Sequence, residues 1–294
     1  MDHKITGSTR LGGLLGSPVA HSISPMMHND SFQELGLDYV YLCFEVGPEK
    51  LPEVITAFRS MNVYGFNLTM PDKEAVIPCL DELSLAAQMI GAVNTVTCQN
   101  GKMTGHNTDG IGYMRAVEEA GYSVPGKEMT LLGAGGAASA IAVQAAIDGV
   151  SRLHLVSRRG RSWEKARALV DQINRNTSCQ ADLTDLADTD GLRKNLERSA
   201  LLTNATSVGM APHADQTPIG DCSLFHPELI VSDVIYNPRR TRLLREAENA
   251  GCRTFNGMYM LLYQGEAAFR IWTGQNMPVE LIKSRYFTEK ESYE

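Results

Sequence analysis

Residues 128–149, EMTLLGAGGAASAIAVQAAIDG, limit what this chain can fold into more than any other stretch. A short apolar run, Met129 to Leu132, meets Gly133-Ala134-Gly135-Gly136-Ala137-Ala138, and an alanine-rich run of helical length follows. Strand, glycine-rich turn and helix in that order open a β-α-β unit, whose next strand lies parallel to the first. SRLHLVSRR (151–159) supplies that strand and SWEKARALVDQINRN (162–176) the next helix. ALLTNAT (200–206) and LIVSDVIYN (229–237) read as further strands, and TRLLREAENAG as a helix ending at Gly251. The repetition predicts a doubly wound α/β domain, a parallel sheet with helices on both faces.

The turn fits G-x-G-x-x-A, a dinucleotide-binding fingerprint. Gly133 permits the tight turn, Gly135 lets the backbone approach a pyrophosphate, and Ala138 allows close helix–strand packing. The helix N-terminus adds a positive dipole. Such a string is informative only between a strand and a helix, which is where it stands here. An NAD site usually carries Asp or Glu about 20 residues on, against the ribose hydroxyls. Ser157-Arg158-Arg159-Gly160-Arg161 stands there instead, with no carboxylate before Glu164. Guanidinium groups suit a 2′-phosphate through charge-assisted bidentate bonds, so NADP is favoured over NAD.

The rest of the chain excludes several classes. Its formal charge is −7, which argues against binding driven by nucleic-acid phosphates. No apolar run approaches the length of a membrane-spanning helix, and MDHKITGSTR lacks the apolar core of a signal peptide. The six cysteines form no C-x-x-C pair and the seven histidines no ligand spacing. A cytoplasmic protein with free thiols and no metal is expected.

Before the glycine turn lies a second unit. RLGGLLG, YVYLCFEV, YGFNLTM and VNTVTC read as strands, the last turning back through Asn100-Gly101. SPMMHNDSFQELGL reads as a helix with Ser24 as N-cap and Pro25 at its first position, and KLPEVITAFRSMN as another. KEAVIPCLDELSLAAQMIG is expected to be helical and broken near Pro78, and GIGYMRAVEEAGY to be a connecting helix. After CRTFNG, MYMLLYQGEAAFRIWTG predicts one long helix followed by a short tail. Two α/β domains are expected: 1–108 with about 258–294, and 109–257, the last helix returning to the first domain.

Polar residues gather at strand ends and turns of the first unit. They are His21-Ser22-Ile23-Ser24, Asn67 and Thr69, Lys73, Asn94-Thr95 and Asn107-Thr108-Asp109-Gly110. In an α/β sheet that is where ligands bind, and these groups suit a polyhydroxylated acid. Each also has a structural use: Ser24 as a cap, Asn107 and Asp109 in a turn, Asn94 on buried backbone.

Eight segments in order resemble the shikimate dehydrogenase family and its shikimate/quinate branch. They are HSISPMMHN (21–29), NLTMPDKE (67–74), GAVNT (91–95), GHNTDG (105–110), LLGAGGAASA (131–140), NATSVGM (204–210), DVIYNP (233–238) and NGMYMLLYQG (256–265). The resemblance implies NADPH-linked reduction of 3-dehydroshikimate to shikimate, in aromatic amino-acid biosynthesis. The broad-specificity branch also oxidises quinate and uses NAD. It places Lys73 and Asp109 at the reacting oxygen as an acid–base pair, and Ser22, Ser24 and Tyr39 at the substrate carboxylate. Thr69, Asn94 and Gln264 surround the hydroxyls with Lys73 and Asp109, while Tyr236 helps to place the substrate.

The resemblance also implies that Gly133, Ala134, Gly135, Gly136 and Ala137 hold the pyrophosphate, that Ser157, Arg158 and Arg159 meet the adenosine ribose or its phosphate, and that Thr206, Val234 and Gly257 line the nicotinamide side. An NAD-preferring quinate dehydrogenase is the nearest alternative, although that branch often has an acid where this chain has Gly160. A non-catalytic dinucleotide-binding regulator need not retain Lys73 and Asp109. A methylenetetrahydrofolate dehydrogenase would not be expected to match HSISP and NTDG. A monomer or homodimer is expected.

Overall fold

The computed structural model describes residues 5–288. The chain divides into two compact units: one runs through Thr108 and resumes at Leu262, the other spans Asp109–Leu261. The first contains the strands β1 (Arg10–Gly16), β2 (Tyr39–Glu45), β3 (Gly65–Leu68), β4 (Glu82–Leu83), β5 (Thr95–Gln99) and β6 (Lys102–His106). Its helices are α1 (Ser24–Glu34), α2 (Leu51–Ser60), α3 (Asp72–Ala75) and α4 (Leu85–Ile90). The second contains α5 (Asp109–Glu119), β7 (Glu128–Leu132), α6 (Gly136–Ile147), β8 (Arg152–Ser157), α7 (Trp163–Asn176), β9 (Gln180–Asp185), α8 (Thr189–Arg198), β10 (Leu201–Asn204), β11 (Ile230–Asp233), α9 (Arg242–Asn249) and β12 (Arg253–Asn256). Then come α10 (Met258–Thr273) and α11 (Val279–Tyr286).

The first sheet runs β2-β1-β3-β5-β6-β4. β1 is parallel to β2 and β3, whereas β5 is antiparallel to both β3 and β6. The second sheet runs β12-β11-β10-β7-β8-β9, with every pairing parallel. Counted from β7 this is the 3-2-1-4-5-6 order of doubly wound dinucleotide folds, and the order reverses between β7 and β10.

The long helix α10 returns to the first unit, and one glycine lets it lie flat there. A Cβ on Gly65 would collide with the Trp272 indole. Without it, Trp272 Nε1–H reaches the Val96 carbonyl at 2.9 Å. Phe269 and Trp272 then close an aromatic box with Phe32, Tyr41 and His28, whose ring centroids lie 4.6–6.2 Å from that of His28. Burial in this box pushes the His28 pKa down to about 3, so the ring is neutral.

Several elements depart from the sequence expectation. Ser24 is the first residue of α1, not its cap. Ile23 occupies the cap position, and Ser22 Oγ accepts the Ser24 N–H at 3.2 Å. The stretch 73–91 is not one broken helix. Pro78 sits in a 3₁₀ turn, two residues add to the sheet edge as β4, and Ser84 starts α4 by accepting the Ala87 N–H. The tail after α10 forms a further helix, α11, tied to α1 by Arg285 and Tyr286 on Asp30. The polar run QADLTD becomes the edge strand β9, and Asp188 caps α8. The remaining omission is the short strand β12, RTFN, which pairs only with β11.

At the amino end of the second sheet, His154 is buried between two carboxylates. Its Nδ1 lies 2.9 Å from Asp182 and its Nε2 3.0 Å from Glu128. Burial alone would lower the imidazole pKa, but the two carboxylates outweigh it and hold it above its ordinary value. Glu128 is held below its ordinary value; burial works upward there and is outweighed by His154 and Arg198. A raised imidazole stabilises fully below about 6.5 and loses that contribution as pH climbs through the folded-state value; Glu128 loses its own as pH falls into the carboxylate range. His154→Gln should therefore cost about 1.5–3 kcal/mol near pH 6. Denaturant titrations should show the gap from wild type closing at alkaline pH, and a constant gap would contradict the charge assignment.

Candidate active site

In the first unit the nominated polar groups stand at one end of one sheet. β1 and β3 end at Gly16 and Leu68; Ser22 and Thr69 lie in the loops after them, and Ser24 and Lys73 in the helices α1 and α3 that follow. β5 runs the other way, so its start, preceded by Asn94, lies at the same end, with Leu68 N–H on the Asn94 carbonyl at 2.9 Å. β6 ends there too, since His106 pairs with Thr95, and the chain leaves through Asn107 and Thr108 into Asp109.

Beneath these groups runs a buried polar chain. Tyr41 OH donates to Asn67 Oδ1 at 2.7 Å, and Asn67 Nδ2 donates to the Asn94 carbonyl and Thr95 Oγ1 at 3.0 Å. Asn94 Oδ1 accepts the Thr108 N–H at 2.8 Å, and its Nδ2 donates to Thr108 Oγ1 at 3.0 Å. Asn94 therefore holds the backbone that enters Asp109. Lys73 is half-buried on α3, its carbonyl accepting the Val93 N–H at 2.8 Å. Beside it Asp72 is buried, with neither carboxylate oxygen hydrogen-bonded. Burial, and next the charge of Glu49, raise its pKa. Gln264 lies on α10, next to Gly265, where the helix approaches Met27 and His28 of α1.

Tyr39 does not belong to this group. It opens β2 in register with Arg10, at the opposite end of the sheet from Gly16 and Glu45. Its hydroxyl accepts from Arg10 at 3.1 Å, and its ring packs on Phe32 and Tyr64. Tyr41, two residues along on the same face, is the tyrosine whose hydroxyl enters the buried polar chain. Strand alternation makes the two equivalent in sequence, and only the register separates them.

The second unit carries the nominated cofactor residues where its strands end. Gly133 follows β7, Ser157 closes β8, Thr206 lies two residues past β10, Val234 follows β11 and Gly257 follows β12. Gly133 has φ 111°, and a Cβ there would stand 3.0 Å from the Ala205 carbonyl. Gly135 is different: its φ of −81° suits any residue, and no protein atom lies within 4 Å of where its Cβ would be. Gly136 is equally open, and the cap of α6 has no side-chain bond. Ala134 and Ala137 complete a small-residue turn at the N-terminus of a 12-residue helix. A cradle that protein atoms leave open, at a helix start rich in unbonded N–H groups, fits a pyrophosphate.

At the end of β8, Ser157 is buried while Arg158 and Arg159 are exposed. Arg159 Nε–H donates to Asp185 at 2.8 Å, and its guanidinium lies 4.8 Å from the Trp163 ring centre.

Two residues absent from the sequence assignment organise the loops carrying Thr206, Val234 and Tyr236. Asp233 is buried and accepts from Asn204 Nδ2, Thr241 Oγ1 and the Ile235 N–H at 2.8–3.2 Å. Burial pushes its pKa up to about 6 against those bonds. Asn204 Oδ1 in turn accepts the Thr206 hydroxyl and N–H at 2.7 and 3.0 Å. A polar pair closing a strand that opens apolar, Thr203-Asn204 and Ser232-Asp233, is the sequence signal that marks both. Gly257 has no room for a side chain, because a Cβ would strike the Val234 backbone. Tyr236 is about half exposed, at 51%.

A doubly wound sheet with an open glycine cradle and an arginine pair after its second strand defines a dinucleotide-dependent dehydrogenase of two α/β units. Residues 14–96 match the model of the shikimate dehydrogenase substrate-binding domain, and 257–285 that of the shikimate 5′-dehydrogenase C-terminal domain. Similarity covers nearly the whole chain. A shikimate dehydrogenase (NADP(+)) of Listeria innocua is 51% identical, over 97% of this chain and 98% of its own. A quinate/shikimate dehydrogenase of Escherichia coli is 41% identical over 95% and 97%. A crystal structure of shikimate 5-dehydrogenase from Listeria monocytogenes, in complex with shikimate and NAD, superposes with a TM-score of 0.93 at 50% identity, covering 97% and 98%. The chain belongs to the shikimate dehydrogenase family.

Proposed function

We propose that this protein is an NADP-dependent shikimate dehydrogenase, reversibly reducing 3-dehydroshikimate to shikimate in aromatic amino-acid biosynthesis, with quinate as a secondary substrate. Identity of 51% to a shikimate dehydrogenase (NADP(+)) over almost the full length carries this reading. The absence of a carboxylate after β8 supports NADP over NAD. NADPH supplies the hydride that reaches the ring carbonyl carbon. The chain supplies the rest: Ser22, Ser24 and, in place of Tyr39, Tyr41 and its hydrogen-bonded neighbours serve the substrate carboxylate. Thr69, Asn94 and Gln264 serve the ring hydroxyls, and Tyr236 orients the substrate. Lys73 and Asp109 exchange the proton that the new hydroxyl gains in reduction and gives up in oxidation.

Gly133 to Ala137 hold the pyrophosphate, Ser157, Arg158 and Arg159 the phosphorylated ribose, and Thr206, Val234 and Gly257 the nicotinamide end. No helix among the described residues is long and apolar enough to cross a membrane, and cytoplasmic residence, as a monomer or homodimer, goes with this reading.

The quinate reading rests on the E. coli relative, which is named for both substrates. Steady-state kinetics with shikimate and quinate, each with NADP and NAD, test the proposal. The highest kcat/KM is expected for shikimate with NADP. A maximum for quinate with NAD would overturn both parts, and no activity with either substrate would favour the regulator.

A further inference from the structure

Of the three arginines after β8, one is built into the protein differently from the others. Arg159 is anchored through Nε alone: that N–H donates to Asp185 Oδ2 at 2.8 Å, and the guanidinium plane rests over Trp163. The side chain nevertheless remains 72% exposed, and its two terminal nitrogens bond none of the described residues. Asp185 is itself fixed. It closes β9 in register with Ser157 at the end of β8, and its Oδ1 accepts the Ala187 N–H at 3.0 Å. That N–H bond, and after it Arg159, hold the Asp185 carboxyl below its usual range although burial works against them. Trp163 opens α7 and is buried, so the platform under the guanidinium is part of the core.

We propose that Asp185 is a positioning residue for cofactor choice: it pins Arg159 by Nε over Trp163 so that the terminal N–H pair stands ready for the adenosine 2′-phosphate. This rests on the NADP reading above. A guanidinium has a fixed fork of donors, and a carboxylate on Nε takes one edge while leaving another for a phosphate. Pinning the side chain in advance removes the ordering cost that a free arginine would meet on binding. Asp185 occupies the Nε position alone, so a phosphate on the terminal Nη1/Nη2 edge would meet the fork and not the carboxylate directly. NAD has only a hydroxyl at the 2′ position and gains nothing from the fork. Discrimination between the two cofactors is thereby assigned to a residue that touches neither.

Asp185→Asn separates this role from loop structure, because the amide oxygen can still accept the Ala187 N–H while the amide nitrogen cannot accept from Nε. The kcat/KM for NADP and NAD is measured for wild type, Asp185→Asn, Arg159→Ala and the double variant. Inhibition by adenosine 2′,5′-bisphosphate and by AMP is measured alongside. Asp185→Asn should lower kcat/KM for NADP by about 2–10-fold, through KM, and weaken the bisphosphate but not AMP, with NAD unchanged. In the Arg159→Ala background the same substitution should have no further effect. An unchanged NADP-to-NAD ratio, equal losses with both cofactors, or a loss that persists without Arg159 would overturn the clamp. Wild-type enzyme preferring NAD would instead overturn the NADP reading beneath it.

Discussion

Lys73→Ala is expected to lower kcat by about 10²–10⁴-fold, the range for loss of a general acid–base group. The fold should not suffer. The Lys73 carbonyl accepts the Val93 N–H, and alanine keeps that backbone bond. Alanine is also a good helix former for α3, which is only four residues long. Lys73→Arg sharpens the result. Arginine retains the positive charge but cannot release its proton near neutrality. If Lys73 moves the proton, both variants should be equally slow, with KM for shikimate raised mainly in the alanine form. If it only binds, arginine should restore much of kcat. Nearly unchanged kcat in the alanine variant would remove Lys73 from the chemistry.

Gly135→Val should raise KM for NADP by about 10²-fold or abolish turnover, on the scale of small misplacements at a reacting centre, while leaving the melting temperature close to wild type. The reasoning is steric. At φ −81° valine meets no backbone strain, and no protein atom lies within 4 Å of its Cβ. The Cβ meets none of the described residues, so the crowding is expected against what the protein binds at the α6 N-terminus. Gly133→Val makes the contrast: φ 111° and the Ala205 carbonyl at 3.0 Å predict a folding defect as well. Calorimetry on both variants, with cofactor titrations, separates them. Equal destabilisation of the two, or an unchanged KM for Gly135→Val, would count against the cradle.

Much of the architecture was readable from local patterns. The strand–turn–helix at 128–149 and the alternation after it specified the parallel sheet, because apolar runs of strand length separated by amphipathic helices have few other solutions. The errors fell where tertiary contacts override propensity. β4 is two residues long and β12 four, and each exists because a neighbouring strand offers backbone to pair with. QADLTD carries a strand's length without a strand's apolar face, since β9 lies at the sheet edge and α8 covers part of it. Ser24 has the composition of a cap but is the first residue of the helix; Ile23 stands at the cap and Ser22 Oγ accepts the Ser24 N–H.

The candidate site divides along the same line. Residues in short contiguous motifs, such as Thr69 and Lys73 or the Gly133 turn, could be nominated from sequence because their chemistry and their spacing occur together. Tyr39 and Tyr41 could not be told apart that way, since both face one side of β2, and only register shows that Tyr39 stands at the wrong end with Arg10. Asp185, Asn204 and Asp233 act on residues far away in the chain, which no local pattern encodes.

Sequence alone determined the family, the α/β class and which side chains have suitable chemistry, because those follow from periodicity and motif. Tertiary structure alone decided which of them share a sheet end, which arginine is pinned and which glycine faces open space. Those are facts of strand register and burial, set by partners tens of residues apart.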